Sequence, residues 1–130
     1  MYTKIKINKI ELDRKSPLYF AENFDMHTKR FFYVLDMKKG ERRGAHAHKK
    51  TSQLIWVISG AMEIQALNNT GNVLLSEELD KFSQAILFDP NVWLNITSIE
   101  DGTSFLCLTD LEYLEEDYIR NPEDFFNKNA

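Results

Sequence analysis

The sequence predicts an all-β protein, a sandwich or barrel of short strands with one short helix at its C-terminal end. Three observations support this fold class. Short apolar or alternating runs recur along the chain, and clusters of Gly, Pro, Asn or Asp separate them. Many of these runs are rich in β-branched and aromatic residues, which favour strands over helices. A helix start signal of Asn, Pro and two acids stands near the end, at 121–124.

Each predicted strand follows from a local pattern and ends at a turn signal. In chain order the strands cover residues 4–12 (with an irregularity near Asn8), 18–21, 31–35, 53–59, 61–67, 73–79, 84–88, 92–99 and 104–109. The run 53–59 is continuously apolar, which predicts burial on both faces, whereas 61–67 alternates. Residues 68–72 are a hairpin signal, because Asn and Gly tolerate positive φ. A helix from Pro122 to about Lys128 is expected to follow.

Length and composition limit the class of protein. A chain of 130 residues is expected to form one domain, 1–130, that buries a core without disulfides or structural metal. The net charge of -4 argues against a general nucleic-acid binder, which needs a basic face. No apolar segment approaches the roughly 20 residues that span a bilayer. The N-terminus has no signal-peptide core, so the cytoplasm is the expected location. The one cysteine, Cys107, lies in an apolar run and is expected in the core.

The stretch 42–50, Arg-Arg-Gly-Ala-His-Ala-His-Lys-Lys, holds the candidate chemistry. If it is a strand, His46 and His48 lie on one face, because side chains alternate along a strand. Imidazoles with a pKa near 6.5 can both take and give protons at neutral pH, which favours acid–base catalysis. Two alternatives stay open. One is a metal site, although two histidines are too few ligands. The other is a pair of histidines that only lines a surface or packs in the core.

Other candidate residues lie before and after this stretch. Arg43 stands close enough to His46 in sequence to stabilise negative charge on a carbonyl or phosphate. Tyr33 is either a core aromatic with a bonded hydroxyl or a residue of the site. Trp93 either packs in the core or stacks on a base or sugar.

The histidine stretch resembles the first cupin motif, in which a glycine precedes His-x-His and a glutamate and a closing glycine follow. The corresponding residues here are Gly44, His46, His48, Gln53 and Gly60, so an amide replaces the glutamate. The second cupin motif adds a histidine after a proline-containing turn, where this chain has Leu94. Because two of the four usual ligands are replaced, the resemblance implies a cupin-like β-barrel, or jelly roll, with no metal or other cofactor.

The chain also resembles the sugar 3,4-ketoisomerases that act on dTDP-4-keto-6-deoxyglucose. Those enzymes carry R-x-x-Y, R-G-x-H-A-H-K-K, P-x-x-W and D-Y-I-R in this order. The matching positions here are 30–33, 43–50, 90–93 and 117–120, so the resemblance extends over most of the chain. One departure is Leu94, since the family commonly has a histidine directly after the Trp.

This second resemblance implies an isomerase that moves the ketone from C4 to C3 through an enediol. The implied catalytic residues are His46, His48, Tyr33 and Arg43. The candidates for substrate binding are Arg30, Gln53, Trp93 and Arg120. The implied partners are a dTDP-linked keto-deoxysugar and a second copy of the chain, in a homodimer that could exchange N-terminal strands. The product would feed synthesis of 3-amino-3,6-dideoxyhexoses for surface glycans. A metal-dependent cupin enzyme and a non-catalytic cupin module that binds a nucleotide sugar remain the alternatives.

Overall fold

The computed structural model describes residues 1–126, which form short strands joined by turns and one short helix. The strands are β1 (Tyr2–Ile5), β2 (Asn8–Leu12), β3 (Lys15–Phe20), β4 (Arg30–Met37), β5 (Arg42–His48), β6 (Gln53–Ser59), β7 (Ala61–Leu67), β8 (Val73–Asp80), β9 (Ala85–Phe88), β10 (Trp93–Ser98), β11 (Thr103–Thr109) and β12 (Tyr118–Ile119). A 3-10 turn, Glu115–Asp117, precedes β12, and helix α1 is Pro122–Phe125.

Two antiparallel five-stranded sheets form the body of the molecule. The first has the order β1-β9-β6-β11-β4, the second has the order β12-β5-β10-β7-β8, and β2 pairs separately with β3. Apolar side chains from both sheets share one core, for example Ile55 and Val57 of β6 with Met62 and Ile64 of β7. The predicted all-β barrel with a short C-terminal helix is therefore confirmed.

The central strands agree best with their sequence patterns. The bounds of β6 and β7 are the predicted ones, and the alternating residues Met62, Ile64 and Ala66 of β7 are fully buried. β6 is buried along most of its length, although Ile58 is exposed. Cys107 lies in the core as expected, and burial raises the pKa of its thiol to about 12.

The N-terminal strands differ from the predicted ones. The single strand expected over 4–12 is two strands, because β1 pairs with β9 in the first sheet whereas β2 pairs with β3. β3 begins at Lys15, within the expected polar break, and includes Pro17. A strand with a free edge tolerates proline, which has no N–H to donate to a neighbour.

The C-terminal helix starts where predicted. Asn121 caps it by accepting a hydrogen bond from the Glu123 N–H at 3.0 Å. The helix ends at Phe125, earlier than expected, because Phe126 takes extended backbone. Lys128, the predicted last residue, lies outside the described residues. Within residues 1–126, no helix is long and apolar enough to cross a membrane.

Candidate active site

A cavity of about 230 Å³ lies between the two sheets. Its wall is formed by Phe32, Val34, Arg43, Gly44, His46, His48, Gln53, Ile55, Leu94, Ile96, Phe105, Tyr118 and Arg120. Five of the predicted site residues are thus brought together: both histidines, Arg43, Gln53 and Arg120. Apolar residues supply much of the remaining wall, which is typical of small-molecule sites.

A β-bulge in β5 shapes the wall of this cavity. In the pairing with β10, Leu94 lies opposite His46 and Asn95 lies opposite Gly44, so Ala45 is the extra residue. Gly44 and Ala45 both have left-handed backbone, with φ of 84° and 56°. A β-carbon on Gly44 would lie 2.7 Å from the Leu94 carbonyl oxygen. The bulge therefore requires glycine at this position.

Beyond the bulge, β5 alternates regularly. His46 and His48 both line the cavity, with ring centroids 5.1 Å apart. Ala47, between them, is fully buried in a second cluster with Trp93 and Phe125. The prediction that the two histidines share a face is confirmed.

His48 is buried and paired with a carboxylate. It is 3% exposed, and its Nδ1 lies 3.0 Å from Oδ2 of Asp117. Asp117 also accepts hydrogen bonds from the Lys50 N–H at 2.7 Å and from the Thr51 hydroxyl at 2.5 Å. Burial raises the pKa of Asp117, but these hydrogen bonds outweigh it and hold the pKa below its ordinary value. Since an ionised carboxylate only accepts, Nδ1 of His48 carries the hydrogen.

His46 is half-buried and has a different partner. Its Nδ1 lies 3.1 Å from the carbonyl oxygen of Gly44. A carbonyl only accepts, so Nδ1 of His46 is also the protonated nitrogen. The Nε2 atoms of both rings are then the basic ones, available to a bound molecule.

Both imidazoles are neutral at pH 7. Burial lowers the pKa of His48 below its ordinary value of 6.5, and the hydrogen bond with Asp117 offsets this only in part. Burial also lowers the pKa of His46, against the opposing effect of its bond to Gly44. Two neutral imidazoles in one cavity can accept protons from a bound molecule and return them.

Tyr118 packs against both histidines. Its ring centroid lies 4.3 Å from that of His48 and 5.0 Å from that of His46. Its hydroxyl accepts a hydrogen bond from Nη2 of Arg30 at 3.4 Å. The Arg30 guanidinium also lies over the ring of Phe32, at 5.3 Å from its centroid. Arg30 therefore lies behind the cavity wall and orients the Tyr118 hydroxyl.

Two further guanidinium groups border the cavity. The half-exposed Arg43 has its Nε 3.7 Å from a carboxylate oxygen of Glu41. Arg120 lies over the Tyr118 ring at 4.2 Å and donates to both oxygens of Glu115, at 2.6 and 3.0 Å. These bonds contribute most to lowering the pKa of Glu115 to about 2. The site thus has two permanent positive charges beside its neutral imidazoles.

Gln53 and Leu94 line the cavity at the positions where metal-binding cupins have ligands. Gln53 is buried, and its Oε1 accepts a long bond from the Cys107 thiol at 3.8 Å. Leu94 is buried and gives an apolar surface next to His46. In the part of the chain that the structure describes, no three His, Cys, Asp or Glu side chains gather into a group that could hold a metal ion.

Besides Arg30, which lies behind the wall, two predicted site residues do not line the cavity. Phe32 and Val34 line it, so strand alternation turns Tyr33 to the outer face of β4, where it is 59% exposed. Trp93 is 4% exposed and donates from Nε1 to Asn95 at 3.2 Å. It packs in the cluster behind the cavity, since its neighbour Leu94 faces inward. Tyr33, expected beside the sugar, and Trp93, expected to bind the substrate, thus each lie one residue out of phase with the face that lines the cavity.

Three residues of the site were missed by the sequence reasoning: Thr51, Asp117 and Tyr118. Thr51 lies in the turn after β5 and has no pattern that marks it. Asp117 and Tyr118 belong to the Asp-Tyr-Ile-Arg match at 117–120, which was the available signal. Their contact with His48 depends on the pairing of β12 with β5, which brings Tyr118 opposite His48.

The fold and the cavity define a cupin-type barrel that holds two imidazoles between its sheets. Over residues 2–130 the chain matches the family model described as FdtA: WxcM-like, C-terminal. The chain belongs to this family, the sugar 3,4-ketoisomerases, and is an isomerase. The predicted family and the predicted enzyme class are confirmed.

Individual relatives agree with this assignment. The chain is 30% identical over 104 residues to the TDP-4-oxo-6-deoxy-alpha-D-glucose-3,4-oxoisomerase of Aneurinibacillus thermoaerophilus, covering 80% of this chain and 73% of that protein. A solved 3,4-ketoisomerase from Helicobacter canadensis superposes with a TM-score of 0.85 at 28% identity, covering 96% of this chain and 94% of that one. The sugar 3,4-ketoisomerase QdtA from Thermoanaerobacterium thermosaccharolyticum, solved with TDP, gives 0.83 at 25% identity, covering 96% and 91%.

Proposed function

We propose that this isomerase converts dTDP-4-keto-6-deoxyglucose to the 3-keto isomer through an enediol, with histidines as the proton carriers. The observation that carries the proposal is the pair of neutral imidazoles, 5.1 Å apart, in one cavity. The names of the relatives, one of which was solved with TDP, support the choice of substrate. A cytoplasmic location is expected.

The reaction needs proton transfer at both carbon and oxygen. A base removes the C3 proton, the electrons of that C–H bond form the C3–C4 double bond, and the C4 oxygen becomes an enediolate. The C4 oxygen then takes up a proton while the C3 hydroxyl loses one, and protonation at C4 leaves a ketone at C3 and a hydroxyl at C4. We assign proton transfer at the carbon atoms to His48, which is the more buried histidine. Proton transfer at the oxygen atoms is assigned to the less buried His46. Each positioned acid or base contributes about 10²–10⁴-fold to the rate.

The other polar residues of the cavity suit the remaining roles. The guanidinium of Arg43 can stabilise the enediolate oxygen, as predicted from sequence. Tyr118 replaces Tyr33 as the tyrosine beside the sugar, because its ring contacts both histidines. The Gln53 amide can hydrogen-bond a sugar hydroxyl. None of these roles requires a metal or other cofactor.

The nucleotide is expected to lie outside the cavity. The volume of the cavity, about 230 Å³, is below the roughly 300–1,000 Å³ of pockets that enclose a whole drug-sized ligand. A sugar ring therefore enters, and the diphosphate stays near Arg120, with Arg30 as a second cation close to this end of the site. Arg120 would exchange its bond with Glu115 for one with the diphosphate.

The product, a 3-keto sugar, would be the substrate of an aminotransferase that makes 3-amino-3,6-dideoxyhexoses for surface glycans.

Incubation with dTDP-4-keto-6-deoxyglucose in deuterated water tests the reaction. We expect NMR to show a new ketone at C3 and solvent deuterium at C4, whereas heat-denatured protein leaves the substrate unchanged. The configuration at C4 of the product follows from the same spectra. An unchanged substrate with the native protein would favour the non-catalytic binding module. Turnover that chelator abolishes and added metal restores would favour the metal-dependent cupin enzyme.

We also propose that the chain works as a homodimer. The outer face of β4 exposes Phe31, Tyr33 and Leu35, an apolar surface at the edge of the first sheet. The hairpin of β2 and β3 also exposes apolar residues, including Leu18, and two-stranded sheets are marginally stable alone. In our proposal the N-terminal hairpin of each copy packs on the outer face of the other.

Phe31→Arg combined with Leu35→Arg is expected to yield a monomer, because two charges would be buried at the proposed interface. Light scattering after size-exclusion chromatography measures the mass. Phe82→Arg is the matched control, since Phe82 is exposed in the turn after β8, outside β4 and the N-terminal hairpin, and its replacement should leave a dimer. A wild-type protein with the mass of one chain would refute the dimer.

A further inference from the structure

Asp117 is a buried carboxylate with three donors around it. Its Oδ2 bonds to Nδ1 of His48 and to the Thr51 hydroxyl, and its Oδ1 accepts from the Lys50 N–H. Its own carbonyl accepts from the N–H of Lys49 at 2.9 Å. Side chain and backbone therefore clamp the 3-10 turn onto the end of β5. The family match does not by itself give this residue a role.

We propose that Asp117 is a positioning residue that keeps Nδ1 of His48 protonated, so that Nε2 is the atom that accepts the C3 proton. The proposal rests on the proposed reaction and deepens it. A neutral imidazole has one protonated nitrogen, and which one it is depends on the partner of the other. An ionised carboxylate at 3.0 Å from Nδ1 admits only the tautomer with the hydrogen on Nδ1.

The hydrogen bonds from Thr51 and Lys50 fix both the orientation and the ionised state of the Asp117 carboxylate. They occupy both carboxylate oxygens, which fixes the orientation of the carboxylate toward the imidazole ring. They also stabilise the ionised form of the carboxylate, despite its burial. When His48 accepts a proton from the substrate, the imidazolium lies next to a fixed negative charge. The Nδ1 of His46 bonds to the neutral Gly44 carbonyl, so the charge of Glu115 acts on this ring without a direct hydrogen bond.

The charges around His48 oppose one another. From the 3-10 turn, Asp117 raises the pKa of His48 through its hydrogen bond and its charge. Arg30 on β4 and Arg120 after β12 lower it, as burial does. His46, on the same strand, is neutral when His48 takes its proton. Asp117 is therefore the group that keeps His48 basic enough to accept a proton.

Asp117→Asn tests the positioning role. The asparagine amide retains the shape but can donate toward Nδ1, which favours the tautomer protonated on Nε2. We expect kcat to fall by about 10²–10⁴-fold, the upper value being that of the same change in a Ser-His-Asp triad, with a KM changed by less than about threefold. Glu116→Gln is the matched control, because Glu116 is exposed on the same turn, and it should keep wild-type kcat.

Nitrogen-15 NMR of the histidine rings reads the tautomer independently of turnover. We expect His48 protonated on Nδ1 in the wild type and on Nε2 in Asp117→Asn, with His46 unchanged. The pKa of His48 should fall in the variant, because Asp117 raises it, and the acid limb of kcat/KM should move to lower pH. If Asp117→Asn does not fold, Thr51→Val, which removes one donor to Asp117, should show a smaller loss of kcat, about tenfold.

Two results would overturn the positioning role. One is an Nδ1-protonated His48 in a folded Asp117→Asn protein, and the other is a kcat equal to that of the wild type. If the tautomer changes as expected but the wild-type protein leaves the keto sugar unchanged, the positioning role stands and the proposed reaction fails. The two proposals are thus tested separately.

Discussion

His48→Asn is expected to leave a folded protein whose isomerase activity is reduced by about 10²–10⁴-fold. The loss follows from the role of Nε2 as proton acceptor, because an amide has no basic nitrogen to replace it. The fold should survive, since asparagine can still donate a hydrogen bond to Asp117. Initial rates with the keto sugar measure the activity, and thermal unfolding measures the stability.

Two further histidine variants serve as comparisons for the rate of His48→Asn. His27→Asn makes the same chemical change at an exposed histidine outside the cavity lining, so near wild-type rates are expected. His46→Asn should also lose activity, but wild-type exchange of the C3 proton with solvent should persist if His46 serves only oxygen. A folded His48→Asn protein with near-normal turnover would refute the assignment of His48 as the carbon base.

Gly44→Ala is expected to damage both stability and activity. The new β-carbon would lie 2.7 Å from the Leu94 carbonyl oxygen, and the backbone φ of +84° is strained for alanine. We expect the free energy of unfolding to fall by about 2–4 kcal/mol. Relief of the clash must push β5 away from β10, which displaces His46. A displacement near 1 Å in a catalytic group can cost about 10²-fold in rate.

Gly40→Ala is the matched control for this prediction. Gly40 has the same φ of +84°, but a β-carbon there meets nothing within 4 Å. It should therefore show only the cost of the left-handed backbone, about 1–2 kcal/mol, and unchanged rates. Denaturant unfolding of both variants isolates the contribution of the clash. Equal losses in the two variants would show that the bulge absorbs the added methyl group.

The regular part of the fold was predictable because its signals are local. The bounds of β6 and β7 follow from an apolar run and from strict alternation, respectively. Asn121, a typical N-cap residue before a proline, predicts the start of the C-terminal helix. The division of residues 4–12 between two sheets was not predictable. The division depends on which strand β1 and β2 each pair with, and the local sequence pattern does not indicate the pairing partner.

The site was predictable where alternation or a motif applied to it. The shared face of His46 and His48 follows from strand geometry alone. Tyr33 and Trp93 carried suitable chemistry, but each occupies the opposite face of its strand from the cavity. Asp117 was missed because the Asp-Tyr-Ile-Arg match indicates its position but not its contact with a histidine 69 positions earlier.

The contact between His48 and Asp117 also has a consequence for folding. It closes a loop of 69 positions, more than half of the 130-residue chain, and long loops cost entropy before their contacts form. The barrel strands between these residues can pair with nearer neighbours first, for example β7 with β8. Recovery of enzyme activity during refolding should therefore lag behind recovery of β-structure, because a competent His48 requires the C-terminal segment to dock on β5.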